Sequence, residues 1–200
     1  MPRPAGMVPP VSAASTQFIG FRVAAGAPLT ALLMRMATPL RPEHPDDLHV
    51  TLAFLGRCSD EQAQAAWRQC CQSPPPALPL GAGAYAWFGR PGRPRVLALE
   101  LFGVEVLSRW MLANRAAIAT AAGVAADMRP PRPHLSLARL GTSIDREAAE
   151  DLLAGLPLPD TTGIRLDTMA LYRRASADAP AGGPRYRIVE RHALAPGTGP

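Results

Sequence analysis

The residues His49-Val50-Thr51-Leu52-Ala53-Phe54-Leu55-Gly56 return 85 positions later as His134-Leu135-Ser136-Leu137-Ala138-Arg139-Leu140-Gly141. Five of the eight positions are identical and two are conservative; only Phe54 against Arg139 changes character. In an extended chain residues i and i+2 point the same way. His49 and Thr51 therefore share one face, while Leu48, Val50, Leu52 and Phe54 share the other, a uniformly apolar set expected in the core. His134 and Ser136 repeat the pattern over Leu135 and Leu137, and strict alternation puts Arg139 on the face opposite them. Two strands that each present an imidazole beside a hydroxyl predict one site built from two symmetry-related units. Because the histidines are far apart in sequence, they are expected to meet only where two halves of the chain face each other across a cleft.

The flanks predict an α+β protein. Strands are expected over 17–24, 48–55, 82–88, 95–102, 164–172 and 185–193, the third and fourth joined by the turn signal Gly89-Arg90-Pro91-Gly92. Pro28 is placed to open a helix through Ala37, and the prolines at 39, 42 and 45 mark a loop. Ser59 with Gln62 forms a capping box for a helix to about Cys71, followed by a proline-rich linker from Ser73 to Pro79. The longest helical pattern runs from Val104 to Ala122 and stops at Gly123; a shorter one runs from about Asp145 to Leu153. Mixed elements in two units, each carrying one motif, imply a bilobal fold. Two pseudo-twofold-related lobes of mainly antiparallel sheet, with flanking helices, would surround a central cleft. The expected organisation is a disordered leader over 1–16, a single bilobal domain over 17–194 and a loose tail over 195–200.

Composition sets outer limits. At 200 residues, 48% hydrophobic and 18% charged, the chain is a folded protein with room for one sizeable core. No apolar run approaches the ~20 residues that cross a bilayer, so no membrane association is expected. Three cysteines, odd in number and without metal-ligand spacing, read as reduced thiols in a cytoplasmic protein. All 21 basic side chains counted by Lys plus Arg are arginine. Without lysine there is no Walker A phosphate loop, no ATP-dependent ligase of the lysyl-adenylate type and no Schiff-base enzyme. The net charge of +5 favours an anionic, phosphate-bearing partner.

The paired residues suit phosphodiester chemistry. Imidazole titrates near ~6.5, so one ring can take a proton from an attacking oxygen while the other gives one to the leaving oxygen. Such acid–base help is worth roughly 10²–10⁴-fold. Thr51 and Ser136 would donate hydrogen bonds to the non-bridging oxygens as charge builds on them. No carboxylate cluster suggests a metal, and no cofactor is implied.

At these residues the chain resembles the 2H phosphoesterases, and more narrowly the bacterial RNA 2′,3′-cyclic phosphodiesterases, historically called 2′-5′ RNA ligases. Leu48 to Gly56 is similar to that family's first signature. Arg132-Pro133-His134-Leu135-Ser136-Leu137-Ala138-Arg139 is similar to its second, and Leu171-Tyr172 with Gly183-Pro184-Arg185-Tyr186 to its C-terminal strand pair. The likeness spans roughly residues 17–194. It implies hydrolysis of a 2′,3′-cyclic phosphate end of RNA or a nucleotide to a 2′-phosphate, and in some members a reversible, ATP-independent 2′-5′ joining of RNA. It further implies His134 as the base that activates water, His49 as the acid that protonates the 3′ oxygen, and Thr51 and Ser136 as phosphate ligands. The chain departs from the family at Ser136, where threonine is commoner. It also lacks an aromatic before the first motif and carries arginine, not serine, after Leu171-Tyr172.

Other residues are weaker candidates. Arg139 either braces the core edge or binds phosphate. Tyr186 either stacks on a base or reaches the phosphate. Arg132 stands at the mouth of the second motif, as an RNA-backbone contact or an ordinary exposed arginine. Phe54 is read as core, not as a stacking platform. His44 and His192 lack a hydroxyl partner and read as structural or surface residues, and Trp67, Trp87 and Trp110 as packing. Competing functions are a 2H phosphodiesterase acting on an ADP-ribose cyclic phosphate or a 2′-5′ oligoadenylate, and a non-catalytic RNA- or nucleotide-binding module. No obligate protein partner is implied, so a monomer is expected.

Overall fold

A computed structural model describes residues 14–90, 93–141, 144, 146–176 and 178–195. The expected leader and tail thus lie mostly outside the described residues, as do Pro91 and Gly92 of the turn signal and Asp145.

The chain runs β1 (Ser15–Arg22), α1 (Ala27–Arg35), β2 (Leu40–Pro42), a 3₁₀ turn (Pro45–Asp47), β3 (His49–Cys58), α2 (Asp60–Gln72), β4 (Leu78–Pro79), β5 (Ala82–Arg90) and β6 (Arg93–Leu101). It continues through α3 (Glu105–Ala122), β7 (His134–Leu140), α4 (Arg146–Ala154), β8 (Arg165–Leu166), β9 (Thr168–Arg174) and β10 (Tyr186–Ala193). The local signals act where they stand. The Ser59 hydroxyl accepts from Gln62 N at 3.2 Å while Gln62 Oε1 accepts from Ser59 N at 2.9 Å, completing the capping box. Gly123 closes α3 in the left-handed conformation, φ 65°. Three strands begin or appear where none was expected, one of them β4, which lies in the segment read as a linker and pairs with β8. β1 starts two residues inside the segment read as a leader, and β2 forms among the prolines at 39–45 because its residues pair with β7.

Among the described residues the main sheet is antiparallel and eight-stranded, in the order β10-β9-β1-β3-β7-β6-β5, with β2 also on β7. Strands β4 and β8 form a separate pair. The lobes are therefore not the two halves of the chain. The first motif's lobe takes both ends (β1, β3, β9, β10), and the second takes the middle (β5, β6, β7) together with β2. Pairing decides this: β3 lies between β1 and β7, so the free edge of β1 is where the C-terminal hairpin β9-β10 adds.

The motif strands meet side by side within one sheet, not as two sheets facing across a gap. Their ladder is a single registered pair, Val50 with Leu135. Both side chains are fully buried, each contributing about 1.5–3 kcal/mol. The helices cover the sheet: α2 and α3 pack on each other and against β1 and β3, and α4 lies on β6. Trp87 Nε1 ties β5 to α4 through the Ala149 carbonyl at 3.1 Å. Trp67 is buried, Trp110 is partly buried, and the three cysteines are free thiols.

Candidate active site

The Val50–Leu135 pair is the local twofold of the site. Continuing the antiparallel register by one residue places His49 opposite Ser136 and Thr51 opposite His134, on the face away from the buried pair. Directly opposed residues have Cβ atoms about 5 Å apart, so two imidazoles and two hydroxyls form a compact quadrilateral with the histidines on a diagonal.

Each imidazole is clamped in the same way. His49 Nδ1 lies 2.5 Å from the Asp47 carbonyl, and His134 Nδ1 lies 2.7 Å from the Arg132 carbonyl, in both cases two residues upstream. A carbonyl only accepts, so Nδ1 carries the hydrogen in both rings and Nε2 is left to take or give a proton. Aromatic rings hold the imidazoles flat. Phe18 and Tyr172 lie at 4.4 and 5.3 Å from His49, and Phe88 stacks on His134 at 4.0 Å. Burial lowers the pKa of His49 to about 4, against the opposing pull of the Asp47 carbonyl; the charges of His134 and Arg139 lower it further. Burial also lowers His134.

Both motif strands carry a β-bulge at the residue after the hydroxyl. Gly20 pairs Thr51 and Ile19 pairs Ala53, leaving Leu52 extra; Ala98 pairs Ser136 and Leu97 pairs Ala138, leaving Leu137 extra. A bulge reverses the phase of alternation beyond it. Phe54 and Arg139, the one unlike pair of the repeat, are therefore both turned out of the core. Phe54 is 62% exposed, contrary to its reading as core. Arg139 is part-exposed, and its Nε donates to Glu43 Oε1 at 2.8 Å. Strict alternation had put it opposite Ser136, and the bulge overrides that. Gly20 sits where the bulged strand presses close: a Cβ there would lie 2.8 Å from the Val50 carbonyl oxygen.

The profile of the family described as "2'-5' RNA ligase superfamily" matches residues 23–178. The chain belongs to the 2′-5′ RNA ligase superfamily, the 2H phosphoesterases. The RNA 2′,3′-cyclic phosphodiesterase of Bacillus subtilis (strain 168) is 33% identical over 104 residues, which is 51% of this chain and 56% of that protein. The match thus spans little more than half the length of that relative. The fold is that of E. coli LigT: the apo crystal structure superposes with a TM-score of 0.64 at 22% identity, over 92% of this chain and 99% of that one. The same protein complexed with 3′-AMP gives 0.67 at 23%, over 90% and 98%. A Thermus thermophilus structure gives 0.65 at 22%, over 90% and 97%.

In this 2H phosphoesterase a second tier of residues, unread in the sequence, holds the first. Asp47 is 2% exposed, and its two carboxylate oxygens accept from the backbone N–H groups of Arg185 (2.7 Å) and Tyr186 (3.0 Å). Through its carbonyl and its carboxylate, one residue fixes both His49 and the start of β10. Tyr186 consequently stands edge-on to His49 and Phe18 at 5.9 and 4.9 Å. Buried Glu43 holds Arg139 and also lies 3.6 Å from Arg185 Nη1. Arg132 is engaged, with a hydrogen bond to Glu100 and its guanidinium 4.7 Å over the Phe88 ring. His44 caps the 3₁₀ turn through Nδ1, a structural role as expected. The nearest sequence signal for the second tier was the pair of acids one and two residues before Leu48.

From Thr51 and His134 an open groove of about 1160 Å³ runs along α3, with Phe54 on its wall. Arg90, Arg93, Arg95, Arg115, Arg129 and Arg132 line it. Its one acid among the described residues, Asp127, is held by Arg129 at 2.5 Å, which lowers the carboxyl pKa to about 2. Among the described residues, Arg90, Arg93, Arg95 and Arg115 have no carboxylate partner.

Proposed function

We propose that the protein hydrolyses the 2′,3′-cyclic phosphate end of RNA to a 2′-phosphate. The observation that carries this reading is the pair of identically clamped imidazoles, each beside a hydroxyl, around one local twofold. One Nε2 takes a proton from water as its oxygen attacks phosphorus. The P–O3′ bond breaks, and the other Nε2–H gives its proton to O3′, leaving a 3′-hydroxyl and a 2′-phosphate. The family likeness supports His134 as the base and His49 as the acid. Thr51 and Ser136 donate to the non-bridging oxygens, with Arg139 held nearby by Glu43 to offset their charge. The likeness to the RNA 2′,3′-cyclic phosphodiesterase of B. subtilis supports the reaction class.

The arginine groove favours a polyanion over a free mononucleotide. The guanidinium groups of Arg90, Arg93 and Arg95, which no carboxylate among the described residues neutralises, lie where the strand leading to the cyclic end would run, and Phe54 offers a ring for a base. By the same chemistry a 5′-hydroxyl in place of water would give a 2′-5′ linkage without ATP. The test is product analysis on nucleoside 2′,3′-cyclic phosphates and a short RNA with a cyclic end, in EDTA. A 2′-phosphate product is expected, with kcat/KM higher on RNA. A 3′-phosphate, or no turnover by folded protein, overturns the proposal.

A further inference from the structure

We infer that the protein has a second site for RNA phosphates, separate from the groove along α3. A depression of about 570 Å³ lies on the first motif's lobe, at the starts of β1 and β10 and the ends of β3 and β9. Arg57, Arg173, Arg174 and Arg187 line it, with Thr16 and Tyr186. Arg173 is neutralised by Asp60 and braces the sheet against α2. Arg57, Arg174 and Arg187 are exposed, and no ion pair among the described residues neutralises them.

Three features make this a site and not scattered surface charge. Arg187 stands directly opposite Arg173 on the neighbouring strand, with Arg174 next along. Asp60 answers Arg173 alone, so among the described residues Arg187 is left without a counter-charge, which a bound anion would supply. Arg174 is the cross-strand partner of Tyr186, and Arg57 that of Thr16, so both belong to the row next to the apolar row of Phe54, Phe18, Tyr172 and Ile188, three of them aromatic. Finally, Tyr186 touches both places: it lines the depression, and its ring lies 5.9 Å from that of His49. The depression is thus separated from His49 by one aromatic residue, Tyr186.

Spaced guanidinium groups beside the part-buried Tyr186 fit the backbone of single-stranded nucleic acid. That the nucleic acid is RNA rests on the proposed phosphodiesterase reading. Its source is either a second, 5′-hydroxyl strand or a further stretch of the strand whose cyclic end is cut.

The experiment uses the full chain and the double variant Arg57→Glu/Arg174→Glu, both positions being exposed and clear of the quadrilateral. Binding of a fluorescent 5′-hydroxyl RNA oligonucleotide without a cyclic end is titrated by anisotropy at several salt concentrations. Turnover of a nucleoside 2′,3′-cyclic phosphate is measured alongside. The variant should bind the oligonucleotide about tenfold or more weakly, with a shallower salt dependence, while mononucleotide turnover stays within twofold. A raised KM for long cyclic-ended RNA identifies the same strand as the occupant; a raised KM for the 5′-hydroxyl strand in joining identifies the second. Unchanged affinity and salt slope overturn the inference. So does an equal loss of mononucleotide turnover, which would make the patch part of the reaction centre. Absence of mononucleotide turnover in the unsubstituted protein refutes the phosphodiesterase reading instead, and leaves the binding result to be judged by itself.

Discussion

Replacing Asp47 by alanine should unhook the C-terminal hairpin from β3. The carboxylate is 2% exposed and accepts two backbone hydrogen bonds, at 2.7 and 3.0 Å, from Arg185 and Tyr186. Hydrogen bonds to a charged group contribute about 1.5–3 kcal/mol each, and removing the acceptor strands two part-buried donors. Set against this, the variant no longer desolvates a carboxylate, so the net loss is put at about 2–4 kcal/mol. Asp47→Asn keeps one acceptor and turns an amide N–H toward the other donor, so it should lose about 1–2 kcal/mol. The neighbouring Asp46 is exposed and only 3.7 Å from His44, a surface contact whose removal should cost less than about 0.5 kcal/mol. Urea unfolding of the three variants at pH 7 gives the comparison. Because Tyr186 and His49 both hang on this residue, kcat should also fall, about tenfold or more in Asp47→Ala. Equal stability of the Asp46 and Asp47 variants would refute the reasoning.

His49→Ala and His134→Ala should each lower kcat by roughly 10²–10⁴-fold without loss of the folded state; either retaining a tenth of the rate would end the paired acid–base mechanism. With both imidazoles lowered, one of them to about 4, the bell-shaped profile of kcat/KM should peak below pH 6.5 whichever ring is the acid, and a peak above pH 7.5 would contradict it. The same shift bears on stability. His49 has a folded pKa of about 4 against 6.5 for the ordinary group, so between those values the unfolded chain takes up a proton that the folded one refuses. Stability should therefore fall as pH drops from 6.5 toward 4, by at most about 3 kcal/mol from this group, and His49→Gln should show a smaller fall in urea midpoint between pH 7 and 5. Phe54→Ala, at a 62% exposed position, should leave stability within about 0.5 kcal/mol yet raise KM for cyclic-ended RNA several-fold or more, since stacking a base is worth about 1–3 kcal/mol; an unchanged KM would remove Phe54 from the substrate path.

Much of the site was legible because its signals are local. Period-two alternation put His49 with Thr51 and His134 with Ser136 on polar faces, and put Leu48, Val50, Leu135 and Leu137 in the core, where they are fully buried. The capping box at Ser59 and the stop at Gly123 needed only their own neighbours. Misreadings began where a distant strand intervened. Phe54 and Arg139 follow bulged residues, and nothing in an unbroken apolar alternation announces which residue a partner strand will leave unpaired. Asp47 and Glu43 are acids in a proline-rich stretch until β10 and β7 arrive to supply the N–H groups and the guanidinium that bury them.

The sequence alone determined which side chains share a face: an imidazole and a hydroxyl two residues apart, twice, over an apolar layer, because strand periodicity orients those side chains whatever the rest of the chain does. The tertiary structure decided how the two copies meet. Side-by-side pairing at Val50 and Leu135, and the assembly of the first lobe from both chain ends, depend on which strand edges remain free once longer-range pairs have formed. It also decided where charge accumulates. Arginines scattered from position 57 to 187 become a groove and a patch only after the fold has gathered them, since electrostatic fields follow distance in space and not separation along the chain.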